Sequence, residues 1–153
     1  MLTEIIIVVV LILVNGALAM SELAVVSSRS ARLKVLADQG NKGAATAMLL
    51  ADDPGKFLSS VQIGITLVGI LSGAFSGATL GTRLSVWLAE IGVPANIADV
   101  GGVGLVVVLI TYGSLILGEL VPKQIALRNP EMVASYVAQP MAVIALVGSP
   151  IVW

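Results

Sequence analysis

Cysteine and histidine are both absent from this 153-residue chain, and each absence removes chemistry. Without cysteine there are no disulfides, thiolate metal sites or cysteine nucleophiles. Without histidine there are no imidazole ligands, and a serine hydrolase would lack its usual general base. Any metal must therefore be bound by oxygen, which favours hard cations such as Mg²⁺, Ca²⁺ or Na⁺. Charge is also scarce. Charged residues make up 11% of the chain, where a soluble domain carries roughly a quarter. Hydrophobic residues make up 58%, and the mean hydropathy is +1.05. The class is an all-α integral membrane protein. Neither a histidine nor a paired-aspartate constellation is present to make it an intramembrane enzyme, and no nucleic-acid partner is expected.

Three long runs carry little or no charge, and they predict three spans at about 4–28, 57–84 and 98–122. Between the first two lies a polar connection, 29–56, with Arg29, Arg32, Lys34, Lys42 and Lys56. Good helix formers flank Gly40-Asn41-Lys42-Gly43 there, so a helical hairpin is expected. The second connection has one basic residue, Arg83, and two follow the third span, Lys123 and Arg128. By the positive-inside rule the hairpin is cytoplasmic and the N-terminus lies outside. Residues 131–153 are apolar but interrupted by Pro140 and Pro150. They are expected to form a broken juxtamembrane helix along the cytoplasmic surface, in contact with lipid. The whole chain, 1–153, reads as a single domain.

Polar residues inside the spans are the candidates for function. Glu119 closes the third run, Pro122 follows three residues later and Lys123 comes next. A proline has no N–H for the carbonyl four residues back, which is Gly118. One freed carbonyl then sits beside one intramembrane carboxylate, which is half of a cation site. The competing reading is a kinked helix with an acid that reaches toward water. Tyr112 lies seven residues before Glu119 and is expected on the same face, with Gly113 adjacent. In the first span Ser21 and Ser28 share a face by the same spacing, and Glu22 is a second intramembrane acid. In the second span Gln62 and Thr66 share a face with Gly69 and Gly73. Glycines recur at 69, 73, 77 and 81, with Ser72 and Ser76 beside them, a pattern for close helix contact. Buried polar groups must find partners, so the three stripes are expected to converge. The candidate metal set is Ser21, Ser28, Gln62, Thr66, Ser72, Tyr112, Gly113, Gly118 and Glu119.

Three stretches carry a family resemblance: Asn15 through Ser28, Gln62 through Leu67, and Gly118-Glu119-Leu120-Val121-Pro122-Lys123. Together they resemble the transmembrane domain of the CNNM/CorC family, over nearly the whole chain. The resemblance implies a homodimer with three spans, a cytoplasmic hairpin and a juxtamembrane helix. It also implies a cytosolic CBS-pair domain following Trp153. The implied activity is Mg²⁺ efflux, with Na⁺ proposed as the coupling ion, in the plasma membrane of a prokaryote. Ser21 matches the family's first-span serine, Glu119 its third-span acid and Pro122 its proline. Animal members carry asparagines where this chain has Ile65 and Gly69, so Thr66 or a backbone oxygen would stand in for them. Two rival functions fit the same residues: a small proton-coupled exporter of organic cations, and a Mg²⁺-sensing anchor that transports nothing.

Overall fold

The computed structural model describes residues 2–152, and side chains through Pro150. Among the described residues the chain is helical throughout, in eight α-helices with two five-residue π-turns inserted. Helix α1 runs Leu2–Ser27. It ends where Arg29 becomes extended, and α2 (Ser30–Asp38) follows. Gly40 then turns the chain with φ +92°, a conformation that a side chain would strain. The Asn41 side chain accepts a bond from the Ala44 N–H at 3.1 Å and caps α3, Lys42–Asp52. These two helices are the expected hairpin.

The next two helical columns are longer than the spans read from charge. Helix α4 (Pro54–Ser76) passes through a first π-turn, Gly77–Gly81, into α5, Thr82–Glu90. Gly92, with φ +98°, and Pro94 make the sharp return. Helix α6 (Ala95–Leu115) passes through a second π-turn, Ile116–Leu120, into α7, Val121–Arg128. Pro122 therefore does not break its column. The glycine repeat is used unevenly. Gly77 and Gly81 lie against Val103 and Val107 of α6, whereas nothing stands within 4 Å of the Cβ positions of Gly69 and Gly73. The α5–α6 return packs most tightly at Gly102, where an added Cβ would fall 2.5 Å from Ser85 N.

Helix α8 (Pro130–Val152) corrects two expectations. It is continuous through the exposed Pro140, while Ala138 and Met141 face the core. A proline here removes one backbone bond and crowds the carbonyl four residues back, a local cost that the packing of α8 on the hairpin end outweighs. It is also long and apolar enough to cross a membrane, which makes four such helices among the described residues where three were expected. Trp153, the last residue of the expected juxtamembrane helix, lies outside the described residues.

The contacts of α8 define its path. Near its start, Glu131 accepts the Arg29 N–H at 3.1 Å, just beyond the end of α1. The Gly43 Cα approaches Ser135 O so closely that no Cβ fits, and Gly148 packs on Ser60 near the start of α4. Gly64 against Leu18 sets the register of α4 on α1. At 1.5 Å per residue, roughly 26 Å of α8 then covers only about 10 Å measured along α1 and α4. Helix α8 is strongly inclined to both.

The core sits at this hairpin end, where Leu18, Val25, Leu33, Phe57, Val61 and Ala126 are buried together. Ala44, Ala47, Ala134 and Ala138 are fully buried there as well, so the helices approach through small side chains. Away from this end the outer surface is Ile, Leu and Val, as hydrocarbon surroundings require.

Candidate cation site

The second π-turn organises the site. A π-turn closes i→i+5 bonds and so accommodates one extra residue. Here it ends two residues before Pro122, which has no N–H to return. Gly118 is buried against α1, and its carbonyl accepts a hydrogen bond from Asn15 Nδ2 at 3.1 Å. The carbonyl freed by the proline is thus taken up by a side chain 103 residues away. Glycines on both sides permit the approach. A Cβ on Gly118 would lie 3.3 Å from Asn15 Nδ2, and one on Gly16 would lie 3.0 Å from Pro122 Cγ. Asn15 Oδ1 is buried and has no hydrogen-bond partner among the described residues. Such an oxygen in an apolar span is costly, and it stands ready to accept a donor or a cation.

Glu119 follows directly. Its Oε1 accepts from Lys123 Nζ at 2.8 Å, with the two side chains 40% and 34% exposed. Ser21 is fully buried on α1, and its Oγ donates to Leu18 O at 2.7 Å. It lies six residues past Asn15, about 9 Å farther along the helix. Glu22, next to it, lines a cavity of about 270 Å³ with Leu23, Val26, Leu58 and Lys123. A larger groove of about 450 Å³ runs between α1 and the second π-turn, lined only by apolar residues such as Ile12, Leu13, Leu117 and Ile125, together with Gly16.

Of the expected residues, then, Gly118 is brought onto α1, the helix that carries Ser21, and Glu119 follows it in the chain with its carboxylate on Lys123. The others lie elsewhere. Ser28 Oγ donates to Ala24 O at 2.6 Å, a local bond one turn back. Thr66 Oγ1 likewise donates to Gln62 O at 2.9 Å, and both residues are exposed. Ser72 is buried, with its Oγ unpartnered. Tyr112 is 64% exposed and Gly113 has open space at its Cβ position. Tyr112 lies in regular α-helix before the π-turn and Glu119 within it, so the seven-residue spacing of an unbroken α-helix does not hold between them. Among the described residues no group of three acids could hold a metal ion. Any cation here would rest on one carboxylate and neutral oxygens.

Two contributors were not in the expected set. Lys123 was legible, because a lysine four residues after a glutamate is a standard helix pair. Asn15 was legible only as the lone amide of the first run.

An all-helical bundle with apolar outer faces and helices long enough to cross a membrane defines a multi-pass membrane domain. Residues 6–153 match the family described as the cyclin M transmembrane N-terminal domain, CNNM, and the chain belongs to it. The UPF0053 protein sll0260 of Synechocystis is 47% identical over 150 residues, covering 98% of this chain and 34% of the relative. The polyamine export protein of Escherichia coli K12 is 32% identical over 153 residues, all of this chain and 34% of that protein. The UPF0053 protein YhdP of Bacillus subtilis is 28% identical over 152 residues, with the same 34% share. The chain spans about a third of the length of these relatives.

Proposed function

We propose that this chain is the membrane part of a cation exporter in a bacterial plasma membrane, and that its cargo binds at Glu119. The observation that carries the reading is the pairing of this intramembrane carboxylate with an ammonium, beside a buried, unpartnered amide oxygen of Asn15. A carboxylate that already holds one cation can hold another. Mg²⁺ is the first cargo to test: Glu119, the Gly118 carbonyl and Asn15 Oδ1 are hard oxygen donors, and few acids suit weak, reversible binding. Na⁺ is the coupling ion in this reading.

A second cargo class has its own support. The group that Glu119 holds is a primary ammonium on a four-carbon stem, chemically one end of a diamine. Relatives carry the name polyamine export protein. An organic diamine would use the carboxylate directly and the apolar groove beside it for its methylenes.

In this account the chain is multi-pass, with the N-terminus outside and the α2–α3 hairpin on the cytoplasmic side. The stripe of Gln62, Thr66 and Gly69, exposed on α4, with half-buried Gly73, is the face that a second copy would cover in a homodimer. A CBS-pair domain following Trp153 would gate the site. The test is efflux from proteoliposomes loaded with Mg²⁺ or with putrescine. Transport by the parent and its loss in Glu119→Gln is the expected result. Binding without flux would make the chain a sensor.

A further inference from the structure

Lys123 pairs with one carboxylate and shares a cavity with another. On its own helix it holds Glu119 at 2.8 Å. It also lines the 270 Å³ cavity whose opposite wall carries Glu22 of α1. No ion pair joins Glu22 to Lys123 among the described residues, so one ammonium has a seat in use and a second acid within the same cavity. Two carboxylates and one ammonium leave the cluster one negative charge in excess.

We propose that Lys123 is a tethered counter-cation of the cargo site, which holds Glu119 until a cargo cation arrives and then turns to Glu22. This rests on the reading that cargo binds Glu119. A carboxylate in an apolar span is costly when unpaired, so a resident cation keeps the empty site stable. The lysine stem is flexible and its ammonium is a compact point charge, which suits exchange between acceptors. When cargo takes Glu119, the displaced ammonium would be left unpaired beside a second cation. Glu22, across the shared cavity, receives it. The device also sets a substrate class. An incoming ion must outcompete an ammonium held at effectively high local concentration, so cations with two charges, Mg²⁺ or a diamine, are favoured over Na⁺ or K⁺.

The experiment is Mg²⁺ titration by calorimetry on the purified intact chain, repeated with excess Na⁺. Lys123→Gln removes the competitor, so Mg²⁺ binds about fivefold more tightly, the size expected for a half-exposed ion pair. Na⁺ then competes where it did not before. Glu22→Gln removes the second seat and weakens Mg²⁺ binding by a similar factor, but has little effect when combined with Lys123→Gln. Lys123→Arg retains the charge and binds Mg²⁺ within about twofold of the parent, which controls for folding. If Lys123→Gln weakens binding or leaves it unchanged while Glu119→Gln abolishes it, the tethered-cation proposal is wrong and the cargo assignment stands. If Glu119→Gln binds like the parent, or the parent binds nothing, both are wrong.

Discussion

Asn15 donates a hydrogen bond to the Gly118 carbonyl at 3.1 Å, and this bond ties the first long helix to the π-turn of the third. It stands where Pro122 leaves a carbonyl without its usual N–H, and two glycines let the backbones meet there. The carboxylate of Glu119 is held one residue beyond that bond.

Replacing Asn15 by leucine leaves the Gly118 carbonyl buried without a donor. The expected cost is about 1–3 kcal/mol. Thermal unfolding in detergent should shift down by several degrees, and Asn15→Gln should not recover it, because the longer side chain has no room against Gly118. An unchanged midpoint in Asn15→Leu would show that water or another group satisfies the carbonyl.

Pro122→Ala restores an N–H at the end of the π-turn. The column is then free to revert to regular α-helix, which rotates Glu119 relative to α1 and competes with Asn15 for the Gly118 carbonyl. Stability should hold or rise while transport falls steeply. Full transport in Pro122→Ala would mean that the π-turn is not needed to place the carboxylate.

Gly102→Ala tests the tightest helix return. Its new Cβ would lie 2.5 Å from Ser85 N and 2.7 Å from Ser85 Cα, and backbone cannot yield cheaply. We expect destabilisation of about 1–3 kcal/mol. Gly104→Ala, two residues on with no neighbour within 4 Å, should be tolerated and serves as the control.

Glu131→Ala tests how α8 is anchored. Glu131 is buried and accepts the Arg29 N–H at 3.1 Å, while its contact with Arg32 is 3.9 Å long and that arginine is 68% exposed. The backbone bond should matter and the ion pair should not. Glu131→Ala should lower the unfolding midpoint by several degrees, whereas Arg32→Ala should leave it nearly unchanged.

Much of this was legible in the sequence because the membrane imposes simple rules. The three charge-poor runs lie within helices, and the turn at Gly40-Asn41 and the return at Gly92-Val93-Pro94 stand where composition placed them, but two columns run past the expected bounds and α8 is a fourth membrane-length helix. Pro122 correctly marked Gly118 as a carbonyl in need of a donor. What escaped was the donor. A lone asparagine in an apolar run gives no sign of which distant carbonyl it will meet. The π-turns were equally invisible, because no residue type encodes an inserted residue, and so Tyr112 was aligned with Glu119 when the inserted turn separates them. Pro140 misled in another way. Read along the chain it is a helix breaker, yet it is exposed and the alanines beside it pack on the hairpin. Whether a proline breaks a helix depends on whether tertiary packing outweighs its local cost, and a linear sequence does not show that packing.

The central claim is that Glu119 binds the cargo cation. Equilibrium binding of Mg²⁺ to the purified chain, compared between the parent and Glu119→Gln with putrescine added as competitor, tests it most directly. The account predicts saturable binding in the parent, reduced at least tenfold when the carboxylate becomes an amide, since the one charged ligand is lost. It also predicts that putrescine displaces Mg²⁺. Equal Mg²⁺ affinity in the two proteins would contradict the account, because the site would then lie elsewhere and Glu119 would be only the partner of Lys123.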